Sequence, residues 1–339
     1  MAAPSPLRIG ILGAANIARA FTRAVKASKS VTIAAVASRD AGKAEKFAAE
    51  LGIARSLGSY EALLADKAID AIYNPLPNSL HAEWSIRAAE AGKHVLCEKP
   101  LAMNEAEARA MFAAAKRHKV HLVEAYPYMA QPQTLKLREL LGGGAIGKVQ
   151  LVQASFGVPQ ADPANIRFNA ALGGGALMDA GSYAVSLVRI VVPERPVRVH
   201  AVARMADSGV DLTLCATLDF ASGALAQVST SFATCYNRHA LIAGDAGTIE
   251  TRYLNHPPIG GPATLTVRRG RLVADPVETV TVADGNGFLA EAESFAAMIA
   301  GGVSHWTGAS EAESIDIMAT LEAIRASART GQTVAVPAT

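Results

Sequence analysis

The sequence predicts an α/β protein: an N-terminal doubly wound parallel sheet, then an α/β region with a large, open, mainly antiparallel sheet. Three observations carry this. Over residues 7–125, short apolar runs alternate with alanine-rich stretches of helical period, the pattern of a parallel sheet with helices on both faces. From residue 126, strand patterns follow one another with turn residues between them, such as Ala221-Ser222-Gly223, which is the mark of antiparallel pairing. The first strand also runs straight into Gly13-Ala14-Ala15-Asn16-Ile17-Ala18, a glycine turn that opens a helix. The 339 residues suffice for two sizeable cores, expected over 1–125 and 126–339.

In chain order, residues 7–12 read as a strand, and the glycine turn leads into a helix ending near Lys26. Gly13 takes the first place of a G-x-G-x-x-G/A fingerprint, Ala15 the second and Ala18 the third. With Asn16 and Ile17 these are candidate dinucleotide contacts. A second strand, 31–37, ends in Ser38-Arg39-Asp40, about 20 residues past the turn, where a ribose is read. A guanidinium there can hold a phosphate through two N–H bonds. Ser38 and Arg39 therefore favour NADP over NAD, whereas a ribose held by Asp40, with Arg39 in solvent, would favour NAD.

Helices over 41–51 and 59–65 precede a strand at 71–73 and the loop Asn74-Pro75-Leu76-Pro77-Asn78-Ser79. Two prolines and a capping Asn or Ser mark a rigid lead into a helix over 80–91. Pro75, Asn78 and His81 are its candidate cofactor contacts, although a His near a helix start is more often a cap-region surface residue than a catalyst. Residues 94–97 read as a buried strand with Glu98, Lys99 and Pro100 at its carboxyl end, the end where open α/β sheets bind ligands. A poorly hydrated lysine there can stabilise developing negative charge. A helix over 104–119 and a strand over 120–125 complete the first region.

Beyond a helix at 133–141 and Gly142-Gly143-Gly144, strands are expected over 148–156, 197–205, 211–219, 224–232, 239–243, 247–250, 263–267 and 278–282. Helices over 287–300 and 309–328 end the chain. Between the first two of these strands, Gly173-Gly174-Gly175 leads into one helix over 176–192. It carries Asp179 and Tyr183 four apart, on one face, which fits a pair turned into a cleft and, at least as well, a capping Asp beside a core Tyr.

Composition excludes several functions. The net charge is +2, with no basic block to suggest nucleic acid. No uncharged apolar run reaches the roughly 18 residues of a membrane helix, and the start lacks a secretory pattern. The three cysteines, Cys97, Cys215 and Cys235, have no metal-ligand spacing, so a reduced cytoplasmic protein without a metal is expected.

Taken together, residues 13–18, the loop 74–81, Glu98-Lys99-Pro100 and the stretch 173–183 resemble, in order and spacing, the glucose–fructose oxidoreductase / inositol dehydrogenase / rhizopine-catabolism family. The resemblance spans nearly the whole chain. It is nearest the NADP-dependent dihydrodiol and D-xylose dehydrogenase-like branch, because Tyr183 stands where many other branches carry His. It implies a Rossmann domain followed by a domain whose open sheet often serves self-association, here as a homodimer or tetramer. It also implies an NAD(P)-dependent oxidoreductase acting on a sugar, cyclic polyol or dihydrodiol-like substrate. Lys99, Asp179 and Tyr183 match the catalytic positions, and Glu98 and Lys99 also match cofactor positions. Met129 and Gln131 stand where relatives often have Arg and His, near the substrate side; Tyr128 and Arg167 are the candidate substrate contacts. Arg167 fits a surface ion pair equally well.

The residue types match that chemistry. A phenol ionises near pH 10, too high for an efficient base at neutral pH. A cation such as Lys99 beside it would favour the phenolate. Asp179 would orient Lys99 or a substrate hydroxyl. Two alternatives stay open: a non-catalytic NADP-sensing interaction protein, and a transhydrogenase that never releases its cofactor.

Overall fold

The structure is a computed structural model that describes residues 5–256 and 261–338. By packing, the chain divides into two compact units, one of residues 1–130 with 286–311 and one of residues 131–285 with 312–339.

The first unit opens with β1 (Leu7–Leu12), α1 (Asn16–Val25), β2 (Val31–Ala37), α2 (Ala41–Leu51), β3 (Ser56–Leu57) and α3 (Tyr60–Ala65). It continues with β4 (Ala71–Asn74), α4 (His81–Glu90), β5 (His94–Glu98), α5 (Glu105–Arg117) and β6 (Leu122–Ala125). The helix starts follow from local chemistry. The Asp40 side chain accepts from Lys43 N at 3.1 Å at the head of α2. Ser59 does the same for Ala62 N at 3.1 Å. At α5 the Asn104 side chain accepts from Glu107 N at 2.9 Å, and the Glu107 carboxylate reaches back to accept from Met103 N at 3.0 Å. Helix α1 differs, because Ala15 occupies its N-cap and offers no side-chain acceptor.

All six strands pair in parallel, in the order β3-β2-β1-β4-β5-β6. The order reverses between β1 and β4, so a crevice opens beyond their carboxyl ends. Gly13, the 75–80 loop and Lys99 all lie at those ends.

The second unit begins with α6 (Pro132–Gly142) and β7 (Val149–Gly157). After a glycine-rich segment come α7 (Ser182–Val191), β8 (Arg198–Met205), β9 (Asp211–Asp219), β10 (Leu225–Ser231), β11 (Asn237–Gly244), β12 (Gly247–Thr251), β13 (Thr264–Arg269) and β14 (Val277–Thr281). The chain then returns to the first unit as α8 (Gly287–Gly301) and finishes in the second with most of α9 (Glu311–Thr330) and β15 (Val334–Ala335). The nine-stranded sheet runs β14-β13-β12-β11-β7-β10-β9-β8-β15. It is antiparallel except where β7 and β10 run parallel. Helix α7 packs on β7 and β10 and is buried nearly all round. The opposite face, with His200, Val202, Cys215, Thr217, Gln227 and His239, is exposed.

The return of α8 completes the first core. Phe288, Phe295 and Met298 pack with Phe21, Phe47, Tyr73 and Leu96 in one buried cluster. Phe21 and Tyr73 stack at 4.1 Å, an arrangement worth about 0.5–1.5 kcal/mol beyond area burial. The expected helix over 176–192 is two elements: a π-helical turn, Leu177–Gly181, and then α7.

Candidate active site

The glycine turn is built for close approach to its backbone. Gly13 has φ +85°, and a side chain there would come within 3.0 Å of Leu76 Cδ2. Its N–H donates to the Ala37 carbonyl at 2.7 Å, tying the turn to the end of β2. Ala15 and Ile17 are half-buried and Asn16 is exposed. With no capping side chain at α1, the first N–H groups of that helix are available to an anion, which the helix dipole also favours. This cradle fits a dinucleotide pyrophosphate. At the tip of β2, Ser38 is buried and its Oγ accepts from Asp40 N at 3.2 Å. Asp40 caps α2. Arg39 is exposed and has no ion-pair partner among the described residues.

The 74–81 loop is held from inside. Asn74 is fully buried and its Nδ2 donates to the His81 carbonyl and to Ser85 Oγ. His81 is a correction to the surface reading, since it is 0 % exposed. Its Nδ1 lies 2.9 Å from the Pro100 carbonyl and its Nε2 lies 2.8 Å from the Leu76 carbonyl. Burial lowers its pKa to about 4, so at physiological pH the neutral ring carries one N–H and donates to one of these two carbonyls. Pro75 is buried, and Asn78 is half-buried in a 3-10 turn.

Lys99 follows the last residue of β5, is partly buried, and forms a cis peptide with Pro100. Glu98 is buried, and its Oε1 accepts from Tyr73 Oη at 2.6 Å. Glu124 Oε1 accepts from Leu101 N at 2.9 Å. Glu291 on α8 is also buried; desolvation first, then Glu98 and Glu124, push its carboxyl well above the usual range. Tyr128 is fully buried, edge-on to Tyr126 at 6.1 Å.

In the second unit, Asp179 sits on the π-helical turn and Tyr183 on the first turn of α7. Asp211 caps the start of that turn, accepting from Leu177 N at 2.6 Å. Gly175, at φ +115°, gives Asp211 room, because a side chain there would strike its carboxylate. Burial raises Asp211 to about 6, against the N–H bonds that favour its charge. Arg167 Nε donates to Asp179 Oδ2 at 2.5 Å. Burial works against the Arg167 charge; Asp179, with a smaller contribution from Tyr183, more than offsets it and raises the pKa. Tyr183 is buried, and its phenol oxygen receives an N–H from Asn255 Nδ2 at 3.0 Å.

The matched sequence models decide the family. Residues 7–126 match the oxidoreductase family with an NAD-binding Rossmann fold, and residues 134–250 match the GFO/IDH/MocA C-terminal domain. The chain belongs to this oxidoreductase family. It is 38% identical over 332 residues to D-xylose 1-dehydrogenase (NADP(+)) 2 of Haloferax volcanii, covering 97% of this chain and 99% of that one. It is 38% identical over 252 residues to the trans-1,2-dihydrobenzene-1,2-diol dehydrogenase of Danio rerio, covering 72% and 74%. Among solved structures, a 3-ketoreductase from Actinomadura kijaniata, in complex with NADP and TDP-benzene, superposes with a TM-score of 0.86 at 30% identity over 95% of this chain and 98% of that one. As a family member the chain is an NAD(P)-dependent oxidoreductase, and the expected branch agrees with these relatives.

Two residues beside Tyr183 escaped the sequence reading. Arg238, buried, lies with its Cζ 4.4 Å from the Tyr183 ring centroid, and Asn255 comes from the segment after β12. A signal existed for Arg238. It shares the buried phase of β11 with Ala240 and Ile242, where a charge is out of place. Asn255 carries no such mark. Among the described residues no helix is long and apolar enough to cross a membrane, and no group of three His, Cys, Asp or Glu could hold a metal ion.

Proposed function

We propose that the protein is an NADP-dependent dehydrogenase or reductase for a sugar, cyclic polyol or dihydrodiol-like substrate, with Tyr183 as acid/base and Lys99 and Asp179 assisting. The nicotinamide, when bound, supplies or takes up the hydride. In the oxidative direction Tyr183 accepts the carbinol proton as the C–H bond is lost, and in the reductive direction it returns one. Lys99 stabilises charge growing on the substrate oxygen. Asp179, held by Arg167, orients the substrate hydroxyls or Lys99. Gly13 and the uncapped start of α1 hold the pyrophosphate, together with Ala15, Asn16 and Ile17. Ser38 and Arg39 read the 2′-phosphate. Pro75, Asn78, His81 and Glu98 shape or support the nicotinamide side, and Tyr128 and Arg167 bear on the substrate.

The observation that carries this reading is the buried Tyr183 phenol, whose oxygen receives an N–H from Asn255 one helical turn beyond the Arg167–Asp179 pair. A donor aimed at a phenol oxygen favours its ionised form, the form in which it can take up a proton. The preference for NADP rests on Arg39 at the β2 tip and on the use of Asp40 as a helix cap. The NADP named for the Haloferax dehydrogenase and the Actinomadura reductase supports it. The exposed sheet face, where Val202 is 57% exposed beside Cys215, is proposed as the surface for self-association in the cytoplasm.

The test is the purified protein with NADP and a panel of aldoses, inositols and diols, followed by the absorbance of the reduced cofactor. Turnover with at least one of them is expected. Absence of turnover in both directions, with NADP bound, would overturn the proposal in favour of a sensor.

A further inference from the structure

We infer that Asn255 and Arg238 form a relay that stabilises the phenolate of Tyr183, so that its acidity is set within its own unit as well as by Lys99. The inference rests on the reading of Tyr183 as the acid/base and adds two residues to it. Asn255 touches the reacting oxygen, and Arg238 is a positioning residue acting through it.

The geometry runs in one direction. Arg238 Nη2 donates to Asn255 Oδ1 at 3.3 Å. A guanidinium has donors only, so it fixes the amide oxygen toward itself. The amide nitrogen then faces the other way and donates to Tyr183 Oη at 3.0 Å. A donor aimed at a phenol oxygen favours the ionised form. The guanidinium also lies over the Tyr183 ring, with its Cζ 4.4 Å from the centroid. Charge placed on that ring is attracted to it in a site where water is largely excluded, as Arg238 is 6% exposed.

Three rings hold the cation in place. Phe156 and Tyr253 lie 4.5 and 4.7 Å from Arg238 Cζ, and Phe156 meets Tyr183 edge-on. Tyr253 is the other phenol that could ionise beside Arg238. It does not, because its hydroxyl donates to the Ser155 carbonyl at 2.6 Å and burial drives its pKa up. Tyr253 also sits at φ +39°, a backbone state that costs a bulky residue in stability; its contacts with Ser155 and Arg238 hold it there. Other charged or titratable groups bearing on this cluster include Arg167, paired with Asp179, and Tyr236, whose ring meets Phe156.

The experiment is a spectrophotometric titration of the phenols at fixed salt, with the Tyr183 component isolated as wild type minus Tyr183→Phe. It needs no substrate, so it is read independently of turnover. The Tyr183 component is expected below the usual pH of about 10. Asn255→Ala should raise it by about one pH unit, a tenfold fall in the ionisation constant. Arg238→Gln should raise it further, and Arg238→Lys, which keeps the charge but loses the fork, should recover part of the shift. In an active preparation, the acid limb of kcat/KM for oxidation should move by the same amount. Melting curves and NADP binding establish that each variant is folded. Should Arg238→Gln fail to fold, Asn255→Ala alone decides. A Tyr183 component unmoved in folded Asn255→Ala would overturn the relay, even in a fully active enzyme. A shifted component in a protein inactive toward every substrate would uphold the relay and sink the catalytic role of Tyr183 instead.

Discussion

Arg167 and Asp179 form a tight charge-assisted hydrogen bond, Nε to Oδ2 at 2.5 Å, with Arg167 39% exposed and Asp179 20% exposed. They stand twelve positions apart in sequence, with the glycine loop between them. A partly exposed pair contributes about 0–1 kcal/mol to stability. Arg167→Met should therefore shift the melting temperature little. It should lower kcat/KM for whichever substrate turns over by about tenfold or more, equivalent to roughly 1.4 kcal/mol, because Asp179 loses its orientation. Melting curves beside steady-state kinetics separate the two, and a large melting shift with unchanged kinetics would assign the pair to stability alone.

Arg39 is the proposed reader of the 2′-phosphate. A hydrogen bond to a charged group is worth about 1.5–3 kcal/mol, so Arg39→Ala should weaken NADP binding by about 10- to 100-fold and leave NAD nearly unaffected. Calorimetric titration with both cofactors measures this. Equal losses for the two would give the ribose back to Asp40.

Gly13→Ala places a methyl at φ +85° and within 3.0 Å of Leu76. The left-handed backbone costs a non-glycine residue about 1–2 kcal/mol. Lower thermal stability is expected, together with weaker binding of either cofactor, since the turn can no longer hold its approach to the pyrophosphate. Unaltered affinity for both would remove Gly13 from the cradle.

The buried histidine gives a pH signature. Burial lowers His81 in the folded state from 6.5 to about 4, so between those values the unfolded chain binds a proton that the folded one does not. Stability is complete above about pH 6.5 and is lost as the pH falls toward 4. His94, also lowered to about 4 by burial and then by His121, acts in the same direction. His81→Gln should flatten the stability curve over that window. A curve as steep as that of the wild type would mean that His81 titrates normally.

Asp211 has the opposite sign. Burial raises its folded value to about 6 from the ordinary 3.8, so its contribution is full below about pH 4 and is lost as the pH rises through 6. The penalty of Asp211→Asn, measured as a difference from wild type, should shrink as the pH rises across that range. A penalty constant with pH would show that Asp211 is ionised throughout.

Much of this fold was legible because its elements announce themselves locally. The strands over 7–12, 31–37 and 211–219 and the helix over 41–51 fall where apolar period and capping residues put them. The placement of Lys99 just past a strand end, of Asp179 after a glycine loop and of the glycine turn after β1 was legible because strand ends and glycine loops leave a mark in the chain. What did not show was distant pairing. Nothing near His81 says that its ring will be sealed between two carbonyls, one of them nineteen residues on. The π-helical turn at Leu177–Gly181 has no propensity signature either; it follows from how Asp211 and Gly175 meet at its start. Arg238 and Asn255 reach Tyr183 from more than fifty residues further along the chain, a contact that only the assembled sheet creates.

The path of the backbone has a practical consequence for anyone cutting the gene. Because residues 286–311 rejoin the nucleotide half, a fragment stopping at residue 125 would leave behind the aromatic plug formed by Phe288 and Phe295. Such a fragment should be sticky and poorly soluble, whereas a version with that late segment spliced on through a flexible tether would be the smallest piece expected to stand alone.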